Sequence, residues 1–173
     1  MNNASKTISI VVTSDNHYCV MIAALIKSIE VNHKSGENIE LIIIDDGISK
    51  RNKSKLQNSI DNNVTKIKWV SSNAVIPKNI KIPADQSTLP HTIYMRLFAP
   101  NLVDERCKKL IYLDVDMILY DDISNLFNID IGDNIIGAVQ DYILTFDSST
   151  GVPNYAELGF PAKAKYFNAG LLV

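Results

Sequence analysis

Residues 108–119 read K-K-L-I-Y-L-D-V-D-M-I-L, an apolar, strand-like run with two carboxylates, Asp114 and Asp116, near its middle. Alternate residues of a strand share a face, so a strand through this run would project both carboxylates together. Burying an unpaired charge costs on the order of several kcal/mol, so neighbouring like charges call for a cation or for close donors. A hard divalent cation, Mn²⁺ or Mg²⁺, meets that need with oxygen ligands and keeps positions open for phosphate oxygens. The same spacing also fits two solvated acids where a strand leaves its sheet, so the flanking sequence has to decide. Asp121 and Asp122 fit a turn and the N-terminus of a short helix over residues 123–127.

Upstream, strand and helix patterns alternate. Residues 8–12 (I-S-I-V-V) form the β-branched run of a buried parallel strand, closed by the polar cluster Thr13-Ser14-Asp15-Asn16, which also supplies helix N-caps. From residue 18 to residue 31, Met21, Ala24, Leu25, Ser28 and Ile29 fall on one helical face. Residues 40–44 (E-L-I-I-I) read as a second buried strand ending in Asp45-Asp46-Gly47; Ser49 then caps a polar helix whose inner face is Leu56 and Ile60. Residues 66–70 give a third strand, with Trp69 expected in core or edge packing. A loop over residues 71–90 carries Pro77, Pro83 and Pro90. Helix returns at residues 92–97 (T-I-Y-M-R-L), and Pro100 is expected to limit it.

Beyond the Asp-x-Asp run, residues 135–140 predict a strand ending in Asp141, residues 142–165 a long loop suited to a lid, and residues 167–173 a buried strand. Because the sequence stops inside that apolar run, it is expected to be an N-terminal piece of a longer protein. The alternation predicts a doubly wound α/β sheet covered on both faces. In such sheets ligands bind outside the carboxyl ends of the strands. Thr13–Asn16, Asp45–Asp46, Asp114–Asp116 and Asp141 all fall at predicted strand ends, which would line one crevice.

Composition narrows the chemistry. Seventeen Lys and Arg against 19 Asp and Glu leave a net charge of −2, without the basic stripe of a nucleic-acid binder. Cys19 and Cys107 sit apart in apolar surroundings and read as small core residues of a reducing compartment. The N-terminus, M-N-N-A-S-K-T, has no apolar signal-peptide core, and no apolar run is long enough to span a bilayer. These features predict a cytoplasmic protein, with room for peripheral membrane contact through sequence beyond residue 173. No G-x-G-x-x-G follows the first strand and no G-x-x-x-x-G-K-[ST] occurs, which disfavours a dinucleotide fold or a P-loop. A metal held by the acids would instead carry a diphosphate leaving group, the chemistry of a nucleotide-sugar transferase.

Six stretches, taken in order, carry a resemblance: I-V-V-T-S-D-N-H-Y, L-I-I-I-D-D-G-I-S, T-I-Y-M-R-L, K-L-I-Y-L-D-V-D-M-I-L, I-I-G-A-V-Q-D and Y-F-N-A-G-L-L-V. The whole chain is similar to the N-terminal, nucleotide-binding portion of the retaining glycosyltransferase family of glycogenin, galactinol synthase and the bacterial lipopolysaccharide galactosyl- and glucosyltransferases. The resemblance implies a GT-A type fold, a Rossmann-like, mixed and mostly parallel sheet. It implies a UDP-hexose donor, glucose or galactose, and a saccharide or lipopolysaccharide-type glycolipid acceptor. Asp114 and Asp116 would bind Mn²⁺ or Mg²⁺, with Asp114 also near the ribose. The loop Thr13, Ser14, Asn16, His17 and Tyr18 would hold the uracil, His17 or Tyr18 stacking on it, although Ser14 stands where many relatives carry an acid or amide. Arg96 would contact the donor sugar or diphosphate. Asp141 and Asn168, with Ala169 and Gly170, would line the sugar pocket, the small residues admitting close backbone approach. Relatives supply a histidine metal ligand and a group near the anomeric carbon from sequence after F-N-A-G.

Blander roles stand beside these. Arg96 fits a surface ion pair, His17 a plain loop residue, His33 and His91 surface or loop histidines, Asp45 and Asp46 strand-end caps, and Asn168 turn chemistry. Two other functions also fit the pattern. One is a nucleotide-sugar-binding fragment without turnover; the other is a Mg²⁺-binding phospho-accepting signalling domain, whose required later lysine has no counterpart at a strand end.

Overall fold

The structure, a computed structural model, describes residues 7–80 and 91–173. Pro83 and Pro90 of the expected loop, and the side chain of His91, lie outside the described residues. Two compact units result, Met1–Asp130 and Ile131–Val173.

The first unit runs β1 (Thr7–Asp15), α1 (Cys19–Asn32), β2 (Asn38–Asp46), α2 (Lys50–Ser59), β3 (Thr65–Ser71), α3 (Ser72–Val75), a 3-10 segment (His91–Leu102), β4 (Leu110–Leu113) and α4 (Ile123–Phe127). β1 pairs in parallel with both β2 and β4, and β2 with β3, giving the order β3-β2-β1-β4. Successive residues of β1 (Ile10, Val11, Val12) and β2 (Leu41, Ile42, Ile43, Ile44) are all buried, so both faces of the sheet are covered. That is the signature of a parallel sheet crossed by helices, and each such side chain contributes about 1.5–3 kcal/mol through burial.

The expected elements of this unit form, with corrections. β1 continues through Thr13, Ser14 and Asp15, because its pairing with β2 runs unbroken to Asp15 opposite Asp46. The buried face of α1 is Cys19, Ile22, Leu25, Ile26 and Ile29, turned away from the predicted Met21 and Ala24, which are exposed. Burying three isoleucines rather than Met21, Ala24 and Ser28 removes more apolar surface from water. Ser49 caps α2 as expected, its hydroxyl accepting from Asn52 N at 3.3 Å, and Leu56 and Ile60 are buried. Trp69 lies on β3, half-buried, with Lys53 Nζ 5.1 Å from its ring centre. Pro100 does not end the helical segment but sits inside it. The segment is wound as 3-10, where a fixed φ near −65° fits and only one N–H is forfeited.

The largest correction concerns residues 108–119. β4 is only Leu110–Leu113, so Asp114 follows the strand directly and Asp116 lies in the turn beyond it. The shared-face argument therefore does not apply to the pair, and Asp116 is exposed. α4 and its Asp122 cap form as expected, Asp122 accepting from Ser124 N at 2.9 Å.

The second unit is an antiparallel pair, β5 (Ala138–Thr145) and β6 (Lys165–Leu172). β5 starts later than expected. Ile135, 93% exposed, precedes it, and Asp141 lies within the strand rather than at its end. Residues 142–145 are strand, not loop, and the segment that follows carries its own aromatic cluster. Phe146 stacks on Phe160 at 4.6 Å between ring centres and meets Tyr166 edge-on at 5.5 Å. Gly151 closes the turn after β5; a Cβ there would fall 2.4 Å from the Phe146 carbonyl oxygen, so only glycine fits. Along β6 only Gly170 is fully buried, and Phe167 is exposed, against the expectation of a buried strand.

Candidate functional site

Parallel strands bring their carboxyl ends to one edge of a sheet. In the first unit, Ser14 lies opposite Asp45 and Asp15 opposite Asp46. β4 pairs with β1 at Val11 and Tyr112, and that register carried onward sets Asp114 beside Thr13.

The densest cluster at this edge joins Arg96, Tyr112 and Asp114. Oδ1 of Asp114 accepts from Arg96 Nη2 at 3.1 Å and from the Tyr112 hydroxyl at 3.1 Å. The Arg96 guanidinium also lies over the Tyr112 ring, 4.8 Å from its centre, a cation–π geometry. Tyr112 is buried; burial pushes its hydroxyl up to about 12, against the pull of Arg96, so it stays a neutral donor through the physiological range. Thr13 Oγ1 is buried near this hydroxyl without a well-formed hydrogen bond. Tyr112 was read in the sequence only as part of an apolar run.

The loop after β1 is held by its own polar groups. Asp15 Oδ1 accepts from the backbone N–H groups of His17 (2.8 Å) and Tyr18 (3.0 Å). Asn16 Oδ1 accepts from Ser49 N and from Asn52 Nδ2, both at 2.9 Å, tying the loop to the start of α2. Ser14 is buried, and its hydroxyl donates to the Asp15 carbonyl. His17 and Tyr18 are exposed, their rings edge to face at 5.1 Å. His17 also lines a groove of about 300 Å³ between α1 and α2, with Asn16, Ala23, Asn52 and Leu56.

Asp45 and Asp46 are structural, as their strand-end position suggested. Asp45 accepts from Ile48 N at 2.6 Å and pairs with Lys53, while Asp46 accepts from the Ser72 hydroxyl at 2.8 Å.

The turn carrying Asp116 is anchored on its far side. Ser28 Oγ accepts from Leu119 N at 3.0 Å, and Asn32 Nδ2 donates to Leu119 O at 2.9 Å. Asp122 accepts from Lys34 N (2.7 Å), Ser35 N (2.9 Å) and His33 Nδ1 (3.0 Å). Burial pushes the Asp122 carboxyl up, but the N–H donors of Lys34 and Ser124 and the His33 ring hold it well below the usual carboxylate range. The His33 side chain is 3% exposed, and its Nε2 also meets Glu37 O at 2.8 Å. Of the surface or loop roles expected for His33, the loop holds, since it caps the C-terminal end of α1, but its side chain is a buried staple and not a surface group. No sequence signal marks it, because its partner is 89 positions away.

In the second unit, Asp141 Oδ1 accepts from Leu144 N at 2.8 Å. Asn168 Oδ1 accepts from Gly170 N at 2.7 Å, the local turn chemistry weighed for it. A larger cavity, about 520 Å³, is lined by Thr7, Lys109 and Phe127, at the opposite end of β1 and β4 from Asp114.

Among the described residues no three His, Cys, Asp or Glu side chains gather as a metal site. Asp114 and Asp116 nonetheless offer oxygen donors of the type a hard divalent ion takes. Among the described residues the two donors to Asp114 both fall on Oδ1, and Oδ2 receives none. In donor chemistry these carboxylates suit such an ion, as part of a larger ligand set.

The chain matches Glycosyl transferase family 8 over residues 9–173. It belongs to that family. It is 26% identical over 165 residues to general stress protein A of Bacillus subtilis (strain 168), covering 95% of this chain and 54% of that protein. It resembles the crystal structure of the galactosyltransferase LgtC in complex with donor and acceptor sugar analogs, with TM-score 0.70 and 27% identity, covering 95% of this chain and 56% of that one. The apo structure of the bifunctional glycosyltransferase WbbM shares the fold, with TM-score 0.77 and 22% identity over 99% of this chain and 32% of that one. The expected α/β fold of GT-A type holds, and the family is one of glycosyl-transferring enzymes. The chain spans about half the length of the curated relatives it matches. Among the described residues no helix is long and apolar enough to cross a membrane.

Proposed function

We propose that this chain is the donor-binding portion of a metal-dependent, retaining hexosyltransferase that takes glucose or galactose from a UDP-sugar. The observation that carries this reading is the Arg96–Asp114–Tyr112 cluster at the carboxyl end of β4, beside the polar end of β1. Asp114 and Asp116 would hold Mn²⁺ or Mg²⁺, which when bound neutralises charge on a departing diphosphate. Arg96, at the same strand end as Asp114, is assigned to the phosphate or sugar oxygens, which its planar guanidinium suits. Thr13, Asn16, His17 and Tyr18 are assigned to the uracil, with the exposed rings of His17 and Tyr18 as the stacking surface and the buried Ser14 contributing only through its backbone. Asp141, Asn168, Ala169 and Gly170 are assigned to the sugar on the strength of the family motifs. The acceptor is proposed to be a saccharide or lipopolysaccharide-type glycolipid, reached in the cytoplasm or at the inner membrane face.

Calorimetric titration with UDP, with and without Mn²⁺, on the wild type and on Asp116→Asn tests this. Mn²⁺-dependent binding that Asp116→Asn abolishes is the expected result. Binding indifferent to the metal and to the substitution would overturn it. A second reading is a nucleotide-sugar-binding unit without turnover. It predicts the same UDP binding, with no hexose transfer or UDP-sugar hydrolysis.

A further inference from the structure

The Asp114 carboxylate is held by two donors on one oxygen, and one of them belongs to a residue given no role so far. We infer that Tyr112 is a positioning residue that fixes both Asp114 and Arg96, turning Oδ2 of Asp114 toward a divalent cation; this rests on the proposed metal-dependent donor site.

Tyr112 lies on β4, paired with Val11 of β1 in the parallel sheet, and it is buried. Its backbone and ring are therefore set by the sheet and not by any ligand. Asp114 comes two residues later, at the point where the strand ends. Nothing in the ladder fixes the Asp114 side chain, and its χ1 and χ2 rotations would scan its oxygens over several directions. The Tyr112 hydroxyl, 3.1 Å from Oδ1, stops that rotation. Arg96 closes on the same oxygen, also at 3.1 Å, so both donors select one orientation.

The Tyr112 ring acts on the other partner. The guanidinium carbon of Arg96 lies 4.8 Å from the ring centre, and Arg96 Nε donates to the Ile93 carbonyl at 2.9 Å. Arg96 is thus held by the aromatic face, by its own helical segment and by Asp114. One buried phenol serves both charged residues, its hydroxyl the acid and its face the base. A group that orients a metal ligand through a hydrogen bond typically alters metal affinity by roughly 10–100-fold when removed. Purely architectural packing would not have that effect.

Tyr112→Phe separates these roles, because phenylalanine keeps the ring under Arg96 and removes only the hydroxyl. Mn²⁺ affinity in the presence of UDP, read from the electron paramagnetic resonance signal of free Mn²⁺, is expected to weaken about tenfold. UDP affinity without metal and the thermal midpoint are expected to stay close to wild type. A Tyr112→Phe protein that binds Mn²⁺ as tightly as the wild type, while Asp114→Asn does not, would overturn the inference and leave the donor site standing. If Asp114→Asn also binds Mn²⁺ unchanged, the metal site itself is refuted and the role of Tyr112 with it.

Discussion

Arg96 and Asp114, 18 positions apart in sequence, meet at 3.1 Å where β4 ends, with Arg96 the more buried partner (15% exposed against 36%). A pair this accessible contributes only about 0.2–1 kcal/mol to stability, because water screens it and two side chains must be ordered. Its placement at the carboxyl edge of the parallel strands makes the proposed donor binding, more than stability, the property it is expected to govern.

Arg96→Lys is therefore expected to unfold within about 1 kcal/mol of the wild type in urea. Its affinity for UDP in the presence of Mn²⁺ is expected to fall on the order of tenfold, since an ammonium cannot reproduce the planar fork. Unchanged affinity by calorimetry would place Arg96 outside the donor site.

Asp116→Asn isolates charge from architecture. Asp116 is exposed in a turn, so the substitution should shift the urea midpoint by less than about 0.5 kcal/mol equivalent. A large loss of stability would mean that Asp116 holds the turn together, and any loss of Mn²⁺-dependent UDP binding would then need another explanation.

Asp122→Asn bears on pH. The folded Asp122 carboxyl lies below its unfolded value of about 3.9, so it stabilises the protein at pH above that value. The contribution is lost as pH falls from the unfolded value through the lower, folded one. Losing charge at a cap that also receives Lys34 N, Ser35 N and His33 is expected to cost about 2 kcal/mol at neutral pH. In urea unfolding, the gap between wild type and variant should hold from pH 7 to about 5 and narrow below about 4. A gap independent of pH would mean that the charge of Asp122 does not matter.

Asn16→Ala removes the acceptor shared by Ser49 N and Asn52 Nδ2. A loss of about 1 kcal/mol is expected, because both donors are exposed enough to turn to water. If the loop sets the base site, UDP affinity falls further than stability does; equal effects would mean that Asn16 is structural only.

The parallel strands were legible because their side chains are buried on both faces, which writes an unbroken leucine and isoleucine run such as residues 41–44. The strand through Asp114 was over-extended for a related reason. Met117, Ile118 and Leu119 continue the apolar pattern, yet the chain leaves the ladder after Leu113. The register of β5 failed likewise, since Ile135 and Ile136 look like strand residues but are exposed. Apolar composition marks where burial is affordable and not where pairing stops. The pairing of His33 with Asp122, 89 positions apart, left no trace, whereas Tyr112 stands two positions before Asp114, a spacing that sets both on one face of a strand.

The clasp of Ser28 and Asn32 on Leu119 reaches beyond α1. Together with Tyr112 and Arg96 on Asp114, and with His33, Lys34 and Ser35 on Asp122, it pins the turn bearing Asp116 at both flanks. Much of the ordering entropy that an incoming nucleotide would otherwise have to supply is already spent in folding. The last turn of α1 thus acts as a remote tuning point. Loosening it is expected to weaken the proposed donor binding and to raise its entropic cost.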